Sequence, residues 1–364
     1  PVTWDEEWYS SPNGFRTSEG SLDTHLLILN RELKINHELI ENNLFVTLKY
    51  IEYDNQDFKR KFLQYRFTQK IWKRLYVLIF GVSEFEKIYS DFGAGIGFRK
   101  DELNFIELKM LRENFLYNMK ADEDTSYLRG AKPKQVILEM NFSNNEWTAS
   151  SYISISTEST LVNTLCDTRE ETITDYQNYG YFQIQNHVPV LNIIIGGNIG
   201  FQEHVHQYQL HDSGLIYVPE MSNVIDHSSF RRPYFYAEIF SVRFWKRSEL
   251  QSKIFYGTGK FKWEETYSTN DNEYERKDSG LNLSFNYRFF DWFSAYFNYY
   301  FMYSQMKQEF PKPDVEDFNY KNSENTFAVG PNFILKNCKI SVIVNYDMDN
   351  NTFDGGNIRF QLII

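Results

Sequence analysis

Seven histidines occur in the chain, and four of them, His204, His206, His211 and His227, fall in or beside residues 203–227. The H-x-H-x4-H spacing of His204, His206 and His211 supplies imidazoles that could ligate Zn²⁺ or Cu²⁺ if the segment folds back on itself. The competing reading is a polar loop without metal, because nothing in the spacing fixes a coordination geometry. The segment also holds a hairpin candidate, Gln207–Leu210 with Leu215–Val218, able to fold over a mouth. Gly93, Gly95 and Gly97 resemble a phosphate loop only superficially. The third glycine of G-x-G-x-x-G is missing, and no helix follows. Alternating glycines inside a strand mark a bend or a close backbone approach. No G-x-S-x-G nucleophile elbow is present. The two cysteines, Cys166 and Cys338, form no Cys-x-x-Cys or zinc spacing. The expectation is therefore no enzyme, no cofactor and no resident metal.

A different set of polar residues is ordered more strictly. Lys49, Arg66, Glu107, Lys109, Glu139, Lys260, Lys262, Arg288 and Arg359 each sit between apolar neighbours at period two. Successive side chains of a strand leave opposite faces, so each of these shares a face with other polar residues. A charged side chain facing lipid near mid-bilayer costs about 2–4 kcal/mol in a barrel. If the apolar face meets lipid, these nine residues must line an aqueous interior. The set is mainly basic, and rings of Lys and Arg favour anions.

The elements that would position them are long amphipathic strands. The clearest hairpin is 281–304, LNLSFNYRFFDWFSAYFNYYFMYS. Leu281, Leu283, Phe285, Tyr287 and Phe289 alternate with Asn282, Ser284, Asn286 and Arg288. After a tight turn, Phe293, Ala295, Phe297, Tyr299 and Phe301 alternate with Ser294, Tyr296, Asn298 and Tyr300. Seventeen such strands can be counted from residue 22 onward. A single-chain barrel normally has an even number, so residues 1–21 supply an eighteenth. Sixteen strands is the alternative. Residues 1–21 thus form a first strand or a segment at the rim or in the lumen, and 22–364 form the barrel. Short turns alternate with long loops, as in barrels that cross a membrane. Trp72, Trp147, Trp245 and Trp292 lie beside short turns, which would place four indoles in one interfacial girdle. On this topology Cys166 and Cys338 lie on opposite sides and are not bonded to each other. Strand 228–246 holds a conflict, since Glu238 and Arg243 fall on opposite faces. Pro331 marks an irregular point in its strand.

Composition agrees. The chain has 364 residues, 18% aromatic, with 32 Phe and 26 Tyr. Its mean hydropathy is −0.53, which a barrel tolerates because half of every strand is polar. No apolar run approaches the 20 or so residues of a spanning helix. A net charge of −11 argues against nucleic acid as a partner. The chain starts at Pro1 and is read as a mature form whose export signal has been removed.

On these amphipathic strands, alternating loop lengths, rim rings and terminal strand Asn357–Ile364, the chain resembles bacterial outer-membrane porin-like barrels as a class. Members of that class usually end in Phe or Tyr, whereas this chain ends in Ile364. The resemblance implies a Gram-negative outer membrane, with the lipid bilayer, lipopolysaccharide and small hydrophilic solutes as partners. The expected function is a channel for passive or weakly selective passage, anion-biased. The alternative is a non-enzymatic barrel subunit that scaffolds an export, assembly or electron-transfer complex with protein partners.

Overall fold

A computed structural model describes residues 2–11, 26–41, 43–54, 59–85, 90–101, 103–113, 127–131, 134–166, 169–212, 224–265, 272–309 and 318–363. Apart from one turn of 3-10 helix at Pro189–Leu191, the described elements are strands in one antiparallel sheet. The first part of the chain contributes β1 (Val2–Ser11), β2 (Leu26–Ile40), β3 (Leu44–Asp54), β4 (Lys59–Trp72), β5 (Leu75–Glu84), β6 (Phe92–Asp101) and β7 (Asn104–Arg112). The middle contributes β8 (Tyr127–Ala131), β9 (Lys134–Ser143), β10 (Trp147–Ser156), β11 (Ser159–Cys166), β12 (Arg169–Val188) and β13 (Ile193–Asp212). The remainder is β14 (Val224–Phe244), β15 (Ser248–Glu265), β16 (Asn272–Phe290), β17 (Phe293–Glu309), β18 (Phe318–Leu335), β19 (Cys338–Asp347) and β20 (Thr352–Ile363).

Apart from β8 and β11, each strand pairs with its neighbour around the sheet, and β1 pairs with β20 as well as β2, so the sheet closes on itself. β8 continues the line of β9, and β11 that of β10: β9 lies between β7 and β10, while β8 pairs with β11. Twenty segments therefore make eighteen staves, not sixteen. Closure satisfies the edge groups that an open sheet would expose to lipid. The eighteenth stave is β1, whose ladder to β20 runs from Thr3–Ile363 to Ser10–Gly356. Both chain ends of this seam lie on the short-turn rim, as an even antiparallel count requires.

The short-turn rim carries connections such as Lys73-Arg74, Asn144–Glu146, Asp291-Trp292 and Lys336-Asn337 between paired strands. The long loops expected from the sequence are 118–132, 158–173, 203–227, 266–277 and 308–324; parts of each are strand, and much of the rest lies outside the described residues. Each is shorter than the sequence suggests: β8 takes Tyr127–Ala131, β11 takes Ser159–Cys166, β13 runs on to Asp212 and β14 begins at Val224, β16 begins at Asn272, and β18 begins at Phe318. Gln207–Leu210 pairs with β12 and β14 rather than folding into a separate hairpin; its expected partner, 215–218, lies outside the described residues.

The two faces are distinguished by exposure. On a closed cylinder, convex side chains splay apart while concave ones crowd together. Ile239 is 70% exposed and Ile254 62%, and Ile96, Leu108, Met110, Ile155, Ile199, Val344 and Ile358 are exposed on the same alternating register. Apolar surface so continuous belongs against lipid. Most of the few buried apolar groups, among them Tyr76, Leu78, Ile137 and Phe261, lie on the concave register.

The strand with two misplaced charges resolves through this register. Glu238 faces inward and pairs with Lys253 at 2.7 Å. Arg243 takes the outer register at the short-turn rim, with its guanidinium 5.0 Å from the Trp245 ring. The ladder between β18 and β19 passes from Val329–Val344 to Asn332–Ser341 without pairing Gly330 or Pro331, the irregularity expected at a proline.

Candidate functional site

The inner wall is the candidate site. It is built by alternate residues of all eighteen staves, because a closed sheet projects every second side chain inward.

One sector is dominated by charge. Glu107 of β7 is 1% exposed. It receives bonds from Arg66 on β4 and from the Tyr76 hydroxyl on β5. Arg99 on β6 lies at 3.7 Å and Lys109, two residues along β7, at 3.5 Å. Lys109 also bonds Glu139 on β9. Contacts that reach across β6 are possible because its inward positions are Gly93, Gly95 and Gly97. A Cβ on Gly97 would stand 2.3 Å from the Tyr76 ring. The glycines thus let Tyr76, Phe80 and Lys109 lie flat over the wall.

A second sector sits high on the staves. Asp175 of β12 accepts from both imidazoles of β13, at 3.0 Å to His204 Nε2 and 3.1 Å to His206 Nδ1. His206 stacks on Phe230, and Arg232 lies 4.4 Å from the same ring. Below it, a cavity of about 420 Å³ is lined by Arg232, Tyr234, Phe255, Arg276, Asp278 and Tyr300 among others. Asp278 accepts from the Tyr234 hydroxyl at 2.8 Å and from Arg276 Nε at 2.9 Å.

A third sector, toward the short-turn rim, is a cavity of about 390 Å³ whose walls include Glu249, Asn286, Tyr296, Asn332, Lys339 and Arg359.

Seven of the nine sequence-selected lining residues fall on the inward register: Lys49, Arg66, Glu107, Lys109, Glu139, Arg288 and Arg359. Lys49 pairs with Glu32 at 2.7 Å. Lys260 and Lys262 do not join them. Their register is that of Ile254 and Tyr256, and they face outward, opposite Glu273 and beside Glu264. Phe255, Phe261 and Trp263, which alternate with them, turn inward. The physical reason is height. β15 has 18 residues, about twice what a crossing strand needs, so its upper part has water on both faces and sidedness there no longer reports lipid. Inward residues that sequence reasoning missed include Arg99, Arg232, Glu238, Lys253, Arg276, Asp278 and Lys339; Arg276 stood in a segment read as loop, Arg232 and Glu238 in the conflicted strand, Lys253 in the strand whose faces were exchanged, and Arg99, Asp278 and Lys339 at or next to strand ends.

The metal candidates are not assembled. His204 and His206 share a face, whereas His211 takes the opposite register beside Glu170 and Val224. Among the described residues no group of three or more His, Cys, Asp or Glu is placed to hold a metal ion. Cys338 is a free thiol at the short-turn end of β19, and Cys166 ends β11 at the other rim. The four tryptophans all lie at the short-turn end and are exposed: Trp72 ends β4, Trp147 opens β10, and Trp245 and Trp292 occupy turns. Trp292 stacks on Phe290 at 5.5 Å and on Phe333 at 6.4 Å, which extends the aromatic rim.

No protein-family model matches the sequence, and no curated protein sequence matches it. Among solved structures, a BenF-like porin from Pseudomonas fluorescens is similar, with 9% identity and a TM-score of 0.49 over 99% of this chain and 96% of that one. OccK10 (OpdN) of Pseudomonas aeruginosa is similar at 7% identity and a TM-score of 0.47, covering 100% and 98%. A loop-deletion mutant of the Vibrio cholerae outer membrane protein OmpT is similar at 8% identity and 0.43, covering 100% and 98%. The closed ladder of eighteen staves, its convex apolar belt and its polar concave wall together make this chain a transmembrane β-barrel.

Proposed function

We propose that the protein is a channel in a bacterial outer membrane that passes small hydrophilic solutes with a weak preference for anions. A barrel of 16–18 strands is wide enough for an aqueous path, and its surroundings would be the lipid bilayer and lipopolysaccharide. The short-turn rim would face the periplasm and the tryptophans would sit at that interface.

The observation that carries the anion preference is the pairing of inner charges. Glu32, Glu107, Glu139, Glu238 and Asp278 each have a cationic partner, whereas Glu249 accepts from the Gln251 amide. Arg232, Arg288 and Lys339 have no carboxylate within ion-pair distance among the described residues. Paired carboxylates contribute little field in the lumen, whereas unpaired cations hold counter-ions there. Reversal potentials of the purified protein in a bilayer under a salt gradient test this. Preference for chloride over potassium is expected, and preference for potassium would remove the anion reading. Arg232→Gln with Lys339→Gln should shift the reversal potential toward zero.

A further inference from the structure

The inner wall changes character between β15 and β19. On β16 the inward residues Asn282, Ser284 and Asn286 carry no charge, and on β17 the same holds for Tyr296, Asn298 and Tyr300. Asn332 of β18 continues the stripe. The carbonyl oxygens of the Asn286 and Asn298 side chains are buried with no hydrogen-bond partner. Both amides belong to half-buried side chains of the inner wall. Beside them are ring faces. Tyr296 lines the 390 Å³ cavity, and four residues higher Tyr300 stacks with Phe255 at 6.4 Å. Phe255 reaches it across Gly280, where a Cβ would stand 2.2 Å from the ring.

We propose that this stripe is a binding track for an uncharged, polyhydroxylated solute, a small saccharide. The proposal rests on the channel reading above and narrows its substrate class. A side-chain amide offers both donors and an acceptor, which matches neighbouring hydroxyls that also do both. Tyrosine and phenylalanine rings present apolar faces to the C–H face of a sugar ring while the phenol remains available for hydrogen bonding. The cavity volume lies within the range of small-ligand sites. Only the middle of the stripe is uncharged, Asn282 to Asn286 on β16 and Tyr296 to Tyr300 on β17, with Arg276 and Asp278 above it and Arg288 below; a neutral solute suits that middle part. Glu249, Lys339 and Arg359 also line the cavity, opposite in sign and beside the amides.

The test uses the purified full chain with glucose, maltotriose and glucuronate as probes. Saturation-transfer NMR in detergent reports binding independently of conductance, and interruption of single-channel current reports occupancy of the path. Glucose and maltotriose should receive saturation, and maltotriose should interrupt the current in proportion to its concentration. Asn286→Leu with Asn298→Leu should weaken maltotriose binding about five- to tenfold. Tyr296→Leu gives a second handle that leaves both amides in place, and it should weaken binding by a similar factor. A conducting protein that neither binds nor is interrupted by neutral sugars overturns the proposal. So does binding of glucuronate without glucose, which would move recognition to the guanidinium groups. Binding of glucose by a protein that conducts no ions would leave the track standing and remove the channel reading.

Discussion

Glu107 shows how much one side chain holds together on this wall. Three cations and one phenol converge on it, and it is almost wholly buried. Glu107→Ala would leave Arg66 and Arg99 without their carboxylate and Lys109 with Glu139 alone. Removing one partner of a buried ion pair costs about 3–5 kcal/mol. The lower end applies here because Arg66 and Arg99 are about a third exposed. The expected result is a loss of about 3 kcal/mol in the urea-unfolding free energy in micelles, with Glu107→Gln losing less. No change in the unfolding midpoint would show that the network is solvated. Glu107, Lys109 and Arg66 were legible in the sequence because apolar residues flank them at period two. The network was not, because it depends on three glycines of β6 that let side chains from β5 and β7 cross a third strand. A glycine's spacing signals that something approaches, but not what.

At the scale of elements, the hairpin β16–β17 was the most legible part, since alternation, turn and length all agreed over its lower half. β15 was read inside out. Its aromatic residues were assigned to lipid, whereas in the upper wall they stack on the inner face over small residues, and its lysines pair with glutamates outside. β8 and β11 were hidden in stretches read as loop, because short strands above the bilayer have no apolar face to betray them. β18 offers a sharper test. A Cβ on Gly330 would stand 1.7 Å from the Val342 carbonyl oxygen. That atom is backbone, so no rotamer change relieves the clash and the two strands must part. Gly330→Ala should lower the temperature of the barrel's heat-induced gel shift. Ala328→Gly, two residues away on the same face, should change it far less. Equal behaviour of the two variants would mean that the gap at Gly330 and Pro331 is wider than described.

The whole molecule is a cylinder of unequal height. β5, β6 and β7 have 10, 10 and 9 residues, whereas β12, β13 and β14 have 20, 20 and 21. About 9–11 residues suffice to cross a bilayer, so one side of the barrel rises well above the lipid. Its outer surface carries ion pairs such as Arg231–Glu203 at 2.6 Å and Lys277–Glu275 at 3.2 Å, which suit water and not hydrocarbon. The opposite end is marked by the four exposed tryptophans. In vesicles, lipids brominated near the headgroup should quench tryptophan fluorescence more than lipids brominated at the chain ends. The reverse order would mean that the short-turn rim is not at an interface.

The seam between β1 and β20 fixes the order of events in folding. Its rungs join Thr3 to Ile363 and Trp4 to Leu362, almost the largest separation along the chain that this polypeptide allows. Loop-closure entropy makes such contacts late and slow. Until they form, β1 and β20 each present a bare edge to which another chain could add. The last step in building this barrel is therefore also its moment of greatest exposure to mispairing, and its assembly rate should respond to substitutions in β20 far more than to equal substitutions in β16.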